Sequence, residues 1–283
     1  MMLKNIKKKI MNKEDYLINK LSSKYIGDDA AVVDGKLYSM DAFFEDVHFK
    51  REWMSMWQIG RKAMLINLSD AVAMDADPKY ALVTLSLPKD ITTEDIDELL
   101  AALEKTAKDF NCEIIGGDTI AGDKLHISIT IISESKRPLL RTTVKEGDLI
   151  AYTGTLGESK RDLEALMRGE TIKAKSRFYE PKLKREFIRQ ARKYLSAGMD
   201  ISDGLFCDTN KLLKPLDFTM FMFEEISEEI GSSGEEYEML VTFPPEHYDK
   251  LKQIAERSHT PLNVFAKVSK GDGVLFECEN HHF

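Results

Sequence analysis

The hydrophobic pattern of the chain alternates between strand-like and helix-like segments. Asp34-Gly35 is the strongest hairpin signal, because this two-residue loop joins the strand-like runs 30–33 and 36–39. Ser55 can cap a helix that runs to about Met74. Further helices are predicted near 12–21, at 94–110 after a Thr92 or Thr93 cap, from 158, at 182–194, before 213 and at 244–257. Strands are predicted at 81–87, 113–115, 124–133, 149–153, 218–223, 239–243, 263–268 and 274–278.

Three acidic residues and a serine gather at the open end of this hairpin. Counting back from the loop places Asp28 and Asp29 beside Asp41, with Ser39 facing Ala30. Two carboxylates about 4 Å apart repel by roughly 4 kcal/mol at an effective dielectric constant of about 20, so a bound cation or a proton is expected. Oxygen ligands suit a hard ion such as Mg²⁺. A solvated acidic hairpin end is the alternative.

Further acids lie where a hydrophobic core does not need them. Asp70 is on the apolar helix after Ser55, on the same face as Asn67 and Met74. A carboxylate in such a place needs a partner, which is a lysine, a backbone group in a capping role or the metal cluster of the hairpin. Asp118 follows Gly116-Gly117, and these glycines let the backbone approach a ligand closely.

A second acidic pair, Asp200 and Asp203, precedes the helix that runs to about Leu213. Ser202 or Asp203 is expected to cap that helix, which would hold both acids beside its free N–H groups. Capping explains one acid well and two acids less well.

Two other signals are weak. His48 lies between Val47 and Phe49, a setting more typical of a half-buried, hydrogen-bonded structural histidine than of a functional one. The segment 154–157 (GTLG) is similar to a phosphate-binding loop but lacks the Lys-Ser/Thr of a Walker A motif, which favours a plain strand–turn–helix.

Composition narrows the class of protein. The chain has 283 residues, 43% hydrophobic, and this length predicts two domains or one large one. A net charge of −8 argues against a nucleic-acid-binding surface. No apolar run is long enough for a membrane span, and no apolar signal core follows the basic N-terminus. Cys112, Cys207 and Cys278 are widely spaced, which favours reduced thiols and a cytoplasmic location.

Eight short motifs, in order and at sensible spacing, resemble the thiamine-monophosphate kinase family. That family belongs to the superfamily of aminoimidazole ribonucleotide synthetase and selenophosphate synthetase. The motifs are GDDAAVV (27–33), SMD (39–41), NLSDAVAMDADP (67–78), GGDT (116–119), LLR (139–141), GDLIAYTGTLG (147–157), MDISDGL (199–205) and SGEEYEML (233–240), together with an acidic residue shortly before His48-Phe49.

The resemblance implies an α/β (α+β) fold of two halves, at 1–137 and 138–283. It implies that the N-terminal half dimerises through its sheet and that the active site lies between the halves. The implied reaction is direct transfer of the γ-phosphoryl group of ATP to thiamine monophosphate, with several Mg²⁺ ions holding the phosphates.

The resemblance also implies residue roles. Metal ligands would be Asp28, Asp29, Ser39, Met40, Asp41, Asp70, Asp118, Asp200 and Asp203. ATP would be bound by Gly117, Asp118, Arg141 and Ser202. Thiamine monophosphate would contact His48 and Glu235 and stack on Phe283. No nucleophile is required of the protein, and Arg141 would assist the transfer.

The chain departs from the family pattern at three positions. Met40 replaces a threonine, and because a thioether is a poor Mg²⁺ ligand only its backbone carbonyl could bind the ion. Ser233 replaces a glycine and Glu236 an aspartate.

Alternatives stay open at this point. A sister synthetase of the superfamily is one, although no cysteine precedes Cys112, where a selenophosphate synthetase would carry a reactive one. A hydrogenase-maturation relative would end in a reactive cysteine, whereas this chain ends in Phe283. A non-catalytic Mg-nucleotide-binding relative and a metal-dependent phosphohydrolase are the others.

Overall fold

The computed structural model describes residues 13–278. Its α-helices are α1 (Lys13–Lys20), α2 (Met56–Ala73), α3 (Thr93–Asp109), α4 (Glu158–Met167), α5 (Arg185–Ala191), α6 (Leu205–Leu213), α7 (Glu228–Gly231) and α8 (Tyr248–Arg257). Its strands are β1 (Ala31–Val33), β2 (Lys36–Phe44), β3 (Asp77–Pro88), β4 (Glu113–Gly122), β5 (His126–Glu134), β6 (Leu149–Thr153), β7 (Ala197–Asp200), β8 (Thr219–Met222), β9 (Met239–Phe243) and β10 (Leu262–Ser269). The strands form two five-stranded sheets.

The first sheet has the strand order β1-β2-β5-β3-β4. The predicted hairpin is confirmed, with Val33 opposite Lys36. Asp34 and Gly35 both have positive φ (50° and 79°), as the favoured two-residue hairpin turn requires. β3 and β4 are parallel and are joined by α3, which makes a βαβ unit.

Helix α2 covers the inner face of this sheet. Ser55 caps it as predicted, in a capping box with Gln58, and the helix ends at Met74. Alternate residues of β5 (Ile127, Ile129 and Ile131) are buried beneath it. The opposite face of the sheet carries no helix in the described chain, and its side chains are largely exposed. This layering places Asn67 and Asp70 of α2 behind the open end of the hairpin.

The second sheet has the order β7-β9-β6-β10-β8, and every pairing in it is antiparallel. α5 and α8 pack on one face, where Phe187 and Leu251 are fully buried. α6 packs on the other face through Leu205 and Leu212. Asp200, the last residue of β7, therefore reaches the edge of the sheet that faces the first half.

Several predicted elements need correction. In α3, Leu99, Ala102 and Leu103 form the buried stripe, whereas Leu100 is 41% exposed. Strand β4 continues through Gly116-Gly117-Asp118 rather than ending there, and β3 already begins at Asp77. Segment 182–194 is a short helix followed by a 3₁₀ turn. Segment 274–278 is no strand, since only one bridge, from Val274 to Met220, ties it to the sheet.

The division at 137/138 stays a prediction. The segment around it connects the two sheets, yet Leu166, Phe178 and Tyr237 from beyond it pack into the hydrophobic core of the first half. Ala73 of α2 in turn packs into the core of the second half. Within residues 13–278, no helix combines the length and the apolar character that crossing a membrane requires.

Candidate active site

Three buried carboxylates converge from separate parts of the fold. Asp29 precedes the hairpin, Asp70 lies on α2 and Asp200 ends β7. One oxygen from each lies within 4.8 Å of the others. Like charges this close cannot all ionise without a counter-charge. The arrangement suits either shared protons or an oxygen-binding cation.

The side chain of Asp29 is completely enclosed, with 0% of it exposed. Its Oδ1 accepts hydrogen bonds from the guanidinium of Arg141, whereas its Oδ2 is buried with no hydrogen-bond partner among the described residues. Burial raises the pKa of Asp29 and Arg141 opposes that rise. A buried carboxylate oxygen without a partner is costly, and a bound cation would satisfy it.

Arg141 also orders the neighbouring acid. Its backbone N–H donates to both oxygens of Asp28, at 3.1 and 3.2 Å. Burial nevertheless raises the pKa of Asp28 to about 6. The LLR motif therefore contributes through its main chain as well as its side chain, which sequence reasoning did not foresee.

Asp70 and Asp200 are held without a basic partner in direct contact among the described side chains. Asp200 accepts a hydrogen bond from Ser69 Oγ. Burial, followed by the charge of Asp29, raises the pKa of Asp200 to about 8. Burial together with Asp41, Asp200 and Asp29 raises the pKa of Asp70 well above its usual value. The alternative of a lysine partner for Asp70 is therefore not what the structure contains.

The second hairpin strand adds Ser39 and Asp41 on its inner face. The backbone N–H of Asp41 donates to Asn67 Oδ1 at 2.8 Å, which ties the strand to α2. Burial, with Asp29 and Asp203 nearby, raises the pKa of Asp41 to about 6. Met40 lies between them with its side chain on the outer face, 65% exposed, so only its backbone could turn toward the acids.

Asp203 and Ser202 lie in the turn after β7, but neither caps α6, whose N-cap is Gly204. Instead, Asp208 of α6 reaches back, and its Oδ2 accepts the N–H groups of Ser202 and Asp203, each at 3.0 Å. Lys211 contacts Asp203 and lies 3.3 Å from Asp208. The expected cap was wrong, because Gly204 occupies the N-cap and no described side chain caps the helix, while Asp208 binds the N–H groups of the turn that precedes it.

Asp208 was missed by sequence reasoning. Burial raises its pKa to about 7 against the opposing charge of Lys211. An acid in the first turn of a mostly apolar helix, five residues after Asp203, was the available signal. Its Oδ1 is buried without a hydrogen bond among the described residues, although the Lys211 ammonium is near.

Gly117 and Asp118 lie far from this cluster within one chain. Asp41 aligns with Ile129, Ile129 with Val83, and Val83 with Gly117. Three strand spacings therefore separate them, about 14 Å along the sheet. Gly117 has a packing reason of its own, because a Cβ there would lie 1.7 Å from the Val83 carbonyl oxygen. Asp118 is exposed on the edge strand.

The residues expected to contact thiamine monophosphate lie in two places. His48 Nδ1 accepts the backbone N–H of Phe44 at 3.0 Å, so the ring has the structural contact that its apolar neighbours indicate. Glu235, at a positive φ of 53°, pairs with Lys62 Nζ at 2.7 Å. Phe283 lies outside the described residues.

Lys62 is a further residue that sequence reasoning missed. It is completely buried on α2, and its ammonium lies 4.3 Å from the ring centroid of Phe178 and 5.5 Å from that of Phe43. A buried lysine needs such a partner set, and Glu235 supplies the counter-charge from the other half of the chain. The lysine thereby fixes the position of the predicted substrate ligand.

The GTLG segment does not offer a free anion site. The backbone N–H groups of Gly157 and Ser159 at the start of α4 donate to Glu236 Oε1, at 2.8 and 3.1 Å. Ser233 Oγ donates to the same oxygen at 2.6 Å. Ser233 and Glu236, both departures from the family pattern, thus belong to one buried network. The Glu236 carboxylate takes the place at the helix start that a phosphate would occupy.

Comparison with known proteins is consistent with this geometry. Residues 27–134 match the family model described as AIR synthase related protein, N-terminal domain. The chain is 29% identical over 294 residues to the thiamine-monophosphate kinase of Aquifex aeolicus, covering 93% of this chain and 92% of that protein. It is 33% identical over 252 residues to the thiamine-monophosphate kinase of Rhodopirellula baltica, covering 78% and 76%.

The fold is similar to that of the Aquifex aeolicus protein in the structure of AaThiL complexed with AMPPCP and TMP. The TM-score is 0.82 at 27% identity, over 93% of this chain and 91% of that chain. The expected two-half α/β fold of the AIR synthase-like superfamily is therefore confirmed. On the combined evidence of motifs, fold and relatives, the chain belongs to the thiamine-monophosphate kinase family.

Proposed function

We propose that this protein transfers the γ-phosphoryl group of ATP to thiamine monophosphate, which yields thiamine diphosphate and ADP for thiamine diphosphate biosynthesis in the cytoplasm. The observation that carries the proposal is the convergence of Asp29, Asp70 and Asp200, from both halves of the chain, beside Arg141. Relatives that carry this activity by name match the chain over most of its length.

The chemistry explains why acids rather than a nucleophile dominate the site. The acceptor oxygen of thiamine monophosphate is already an anion, so the protein has to position two phosphates and neutralise their charge. Arg141 provides a fixed cation at the edge of the cluster. Its guanidinium holds Asp29, and its backbone holds Asp28.

The cluster fits Mg²⁺ by its donor set. Its donors are all oxygens, several pKa values are raised by burial, and Asp29 Oδ2 has no other partner among the described groups. The residues that would hold the ions are Asp28, Asp29, Ser39, the Met40 backbone, Asp41, Asp70, Asp200 and Asp203. When bound, the ions would neutralise the phosphate charges and align them.

Substrate contacts are assigned by position. Ser202 lies in the turn after Asp200 and is expected to contact ATP together with Arg141. Glu235, held by Lys62, faces the N-terminal half and is expected to bind thiamine monophosphate along with His48. Stacking on Phe283 stays a prediction.

For the expected roles of Asp118 and Gly117 at such a site, we infer that a second copy of the chain is needed. They are about 14 Å from Asp41 along their own sheet, and their strand is an exposed edge. The outer face of that sheet exposes Tyr38, Met40, Tyr80, Leu82, Ile115 and Ile120. A patch of this kind is typical of an association surface. We therefore infer a homodimer that covers this face, so that Asp118 can serve the partner's site.

The dimer is tested by sedimentation velocity. Leu82→Asp places a charge on the outer face without touching the acids, so the variant should sediment as a monomer while the wild type sediments as a dimer. A wild-type monomer at micromolar concentration would contradict the dimer.

The reaction itself is tested by incubating the protein with Mg-ATP and thiamine monophosphate. Stoichiometric ADP and thiamine diphosphate are expected. ADP formed only with formylglycinamidine ribonucleotide would indicate a sister synthetase. Nucleotide binding without turnover would indicate a binding protein, and phosphate release without ATP a hydrolase.

A further inference from the structure

A cavity of about 570 Å³ lies between the connector that follows β5 and the second half of the chain. Its volume is within the range of small-molecule sites, roughly 300–1,000 Å³. The basic side chains that line it come from the connector and from the segments after α5 and before α8: Lys136, Arg137, Lys145, Arg192, Lys193 and His247. No aspartate or glutamate lines the cavity.

Few of these basic groups have a counter-charge in direct contact, although the charge of Asp148 acts on Lys145 and that of Asp75 on Arg192. No carboxylate among the described side chains lies within 4 Å of the charged groups of Lys136, Arg137, Lys145 or Lys193, whereas Arg185 and Arg189 of α5 pair with Asp77 and Asp75. A concentration of positive charge in a chain whose net charge is −8 is unusual. A concave wall of one sign focuses the field and attracts ligands of the opposite sign.

Arg192 gives the cavity a rigid floor. Its guanidinium donates to the backbone oxygens of Arg137 at 2.9 Å and Pro138 at 2.7 Å, so it is fixed without being neutralised. Burial, and then the charge of Arg137, lowers the pKa of Arg192, and Asp75 only partly offsets this. The like charges are therefore close enough to repel, and an anion between them would relieve that repulsion.

The cavity is separate from the acidic cluster. Leu140 and Thr143 line it, whereas Arg141 between them extends its side chain the other way, to Asp29. None of the acids of the candidate active site is among the lining residues. A ligand here would bridge the connector and the second sheet, where Ser196 and Pro244 form the opposite wall.

We propose that this basic cavity binds a small anion that carries two or more phosphate groups. The size of the cavity and the overall negative charge of the chain favour such a ligand over a nucleic acid, which needs an extended basic surface. Tyr194 and Pro244 add flat apolar surface that could contact an organic moiety attached to the phosphates. The proposal does not depend on the phosphoryl-transfer reaction.

The test is isothermal titration calorimetry of the full chain with inorganic pyrophosphate, in EDTA so that metal-dependent binding at the acids is suppressed. We expect a Kd below about 1 mM that weakens as salt rises from about 0.05 M to about 0.15 M. Arg137→Ala/Lys193→Ala should weaken binding at least tenfold. The matched control is Lys105→Ala/Lys108→Ala, which removes the same charge from exposed positions on α3 and should leave the Kd within twofold.

A second probe identifies the source of the phosphates. Tighter binding of ADP than of pyrophosphate, lost in Arg137→Ala/Lys193→Ala, supports an organic phosphate, and the reverse order supports an inorganic one. If circular dichroism shows that this variant is unfolded, Lys136→Gln/Lys145→Gln replaces it with the same expected loss. No binding to the wild type at millimolar pyrophosphate, equal weakening in the α3 control, an unchanged Kd in both cavity variants, or tighter binding of an oligonucleotide would overturn the proposal.

Discussion

The molecule buries carboxylates in two regions, which differ in how many basic side chains contact the acids. Beside α4, Glu236 and Glu238 face Arg177 at 3.1 and 2.8 Å, and Glu238 also faces Lys184 at 3.0 Å. Thr153, Ser233 and the start of α4 satisfy the remaining oxygens. Two acids thus share two cations.

In the acidic cluster of the candidate active site, the carboxylates outnumber the basic side chains. Seven aspartates there have only Arg141 and Lys211 as basic contacts among the described residues: Asp28, Asp29, Asp41, Asp70, Asp200, Asp203 and Asp208. Burial raises the pKa of most of these aspartates, and neighbouring aspartates raise several of them further. Burial raises the pKa of Glu236 as well, but there Ser233, Arg177 and backbone N–H groups oppose the rise. The comparison teaches that an excess of buried acids over cations, rather than burial itself, distinguishes a ligand site from a structural network.

The sharpest test of this contrast removes one acid from the acidic cluster. Asp70→Asn should lower kcat by about 100-fold to 1,000-fold, the scale expected when one charge-stabilising group is lost. Its free energy of unfolding without metal should stay equal or rise, because a repelled carboxylate has been neutralised. Steady-state kinetics and urea unfolding measure the two effects, and Asp203→Asn should lower kcat similarly. Unchanged turnover would end the metal-site interpretation of Asp70.

The reciprocal change removes one acid from the compensated network. Glu238→Gln should cost about 3 kcal/mol in the free energy of unfolding, because it leaves the half-enclosed Lys184 without its counter-charge and removes one of the carboxylates that face Arg177. The matched control is Glu170→Gln, whose exposed pair with Arg168 should contribute less than about 1 kcal/mol. Equal effects of the two substitutions on urea unfolding would show that the buried network stabilises the fold no more than an exposed ion pair does.

A third test uses pH. The folded-state pKa values of Asp28 and Asp41 are about 6 and that of Asp200 about 8, all raised by burial, against about 3.9 in an unfolded chain. The folded state therefore binds more protons, so the unfolding free energy of metal-free protein should fall as pH rises from about 4 to about 8. Between pH 5 and pH 8 we expect a loss of about 2 kcal/mol or more.

Mg²⁺ should restore most of that loss, and more at pH 8 than at pH 5, because protons compete with the ion. Urea unfolding with EDTA or Mg²⁺ provides the measurement. Asp200→Asn serves as the control and should flatten the pH dependence. A wild-type stability that rises toward pH 8 in EDTA would contradict the assigned directions.

The smallest effect is expected at Lys62, which joins the two halves. Lys62→Met keeps the apolar contacts with Phe43 and Phe178 but releases Glu235, so the KM for thiamine monophosphate should rise about fivefold, equivalent to about 1 kcal/mol, with kcat within about twofold. Glu235→Gln should do the same, and the double variant should add little. Lys105→Met is the exposed control. Additive effects would mean that the two residues act independently.

Local signals predicted much of the fold. Asp34-Gly35, Ser55 and Thr92 each specify a turn or cap through contacts within a few residues, and each appears where expected. The sequence also singled out Asp29 through the hairpin register, Asp70 as an acid on an apolar helix and Asp200 through its pairing with Asp203. The structure brings one oxygen of each within 4.8 Å of the others, and their role as metal ligands stays a prediction.

Residues that act through long-range contacts could not be predicted in this way. Lys62 and Glu235 are 173 positions apart, and nothing local links them. Asp208 holds the turn after β7 through the N–H groups of Ser202 and Asp203, a contact that the expected cap left out. The role of Ser233 became clear only once Glu236 was seen at the start of α4.

The most direct test of the central claim is a crystal structure of the protein with Mn²⁺ in place of Mg²⁺ and a non-hydrolysable ATP analogue. The account predicts anomalous peaks within bonding distance of Asp29, Asp70 and Asp200, with the analogue's phosphates on the same ions. Manganese bound elsewhere, with these three carboxylates free of metal and nucleotide, would contradict it.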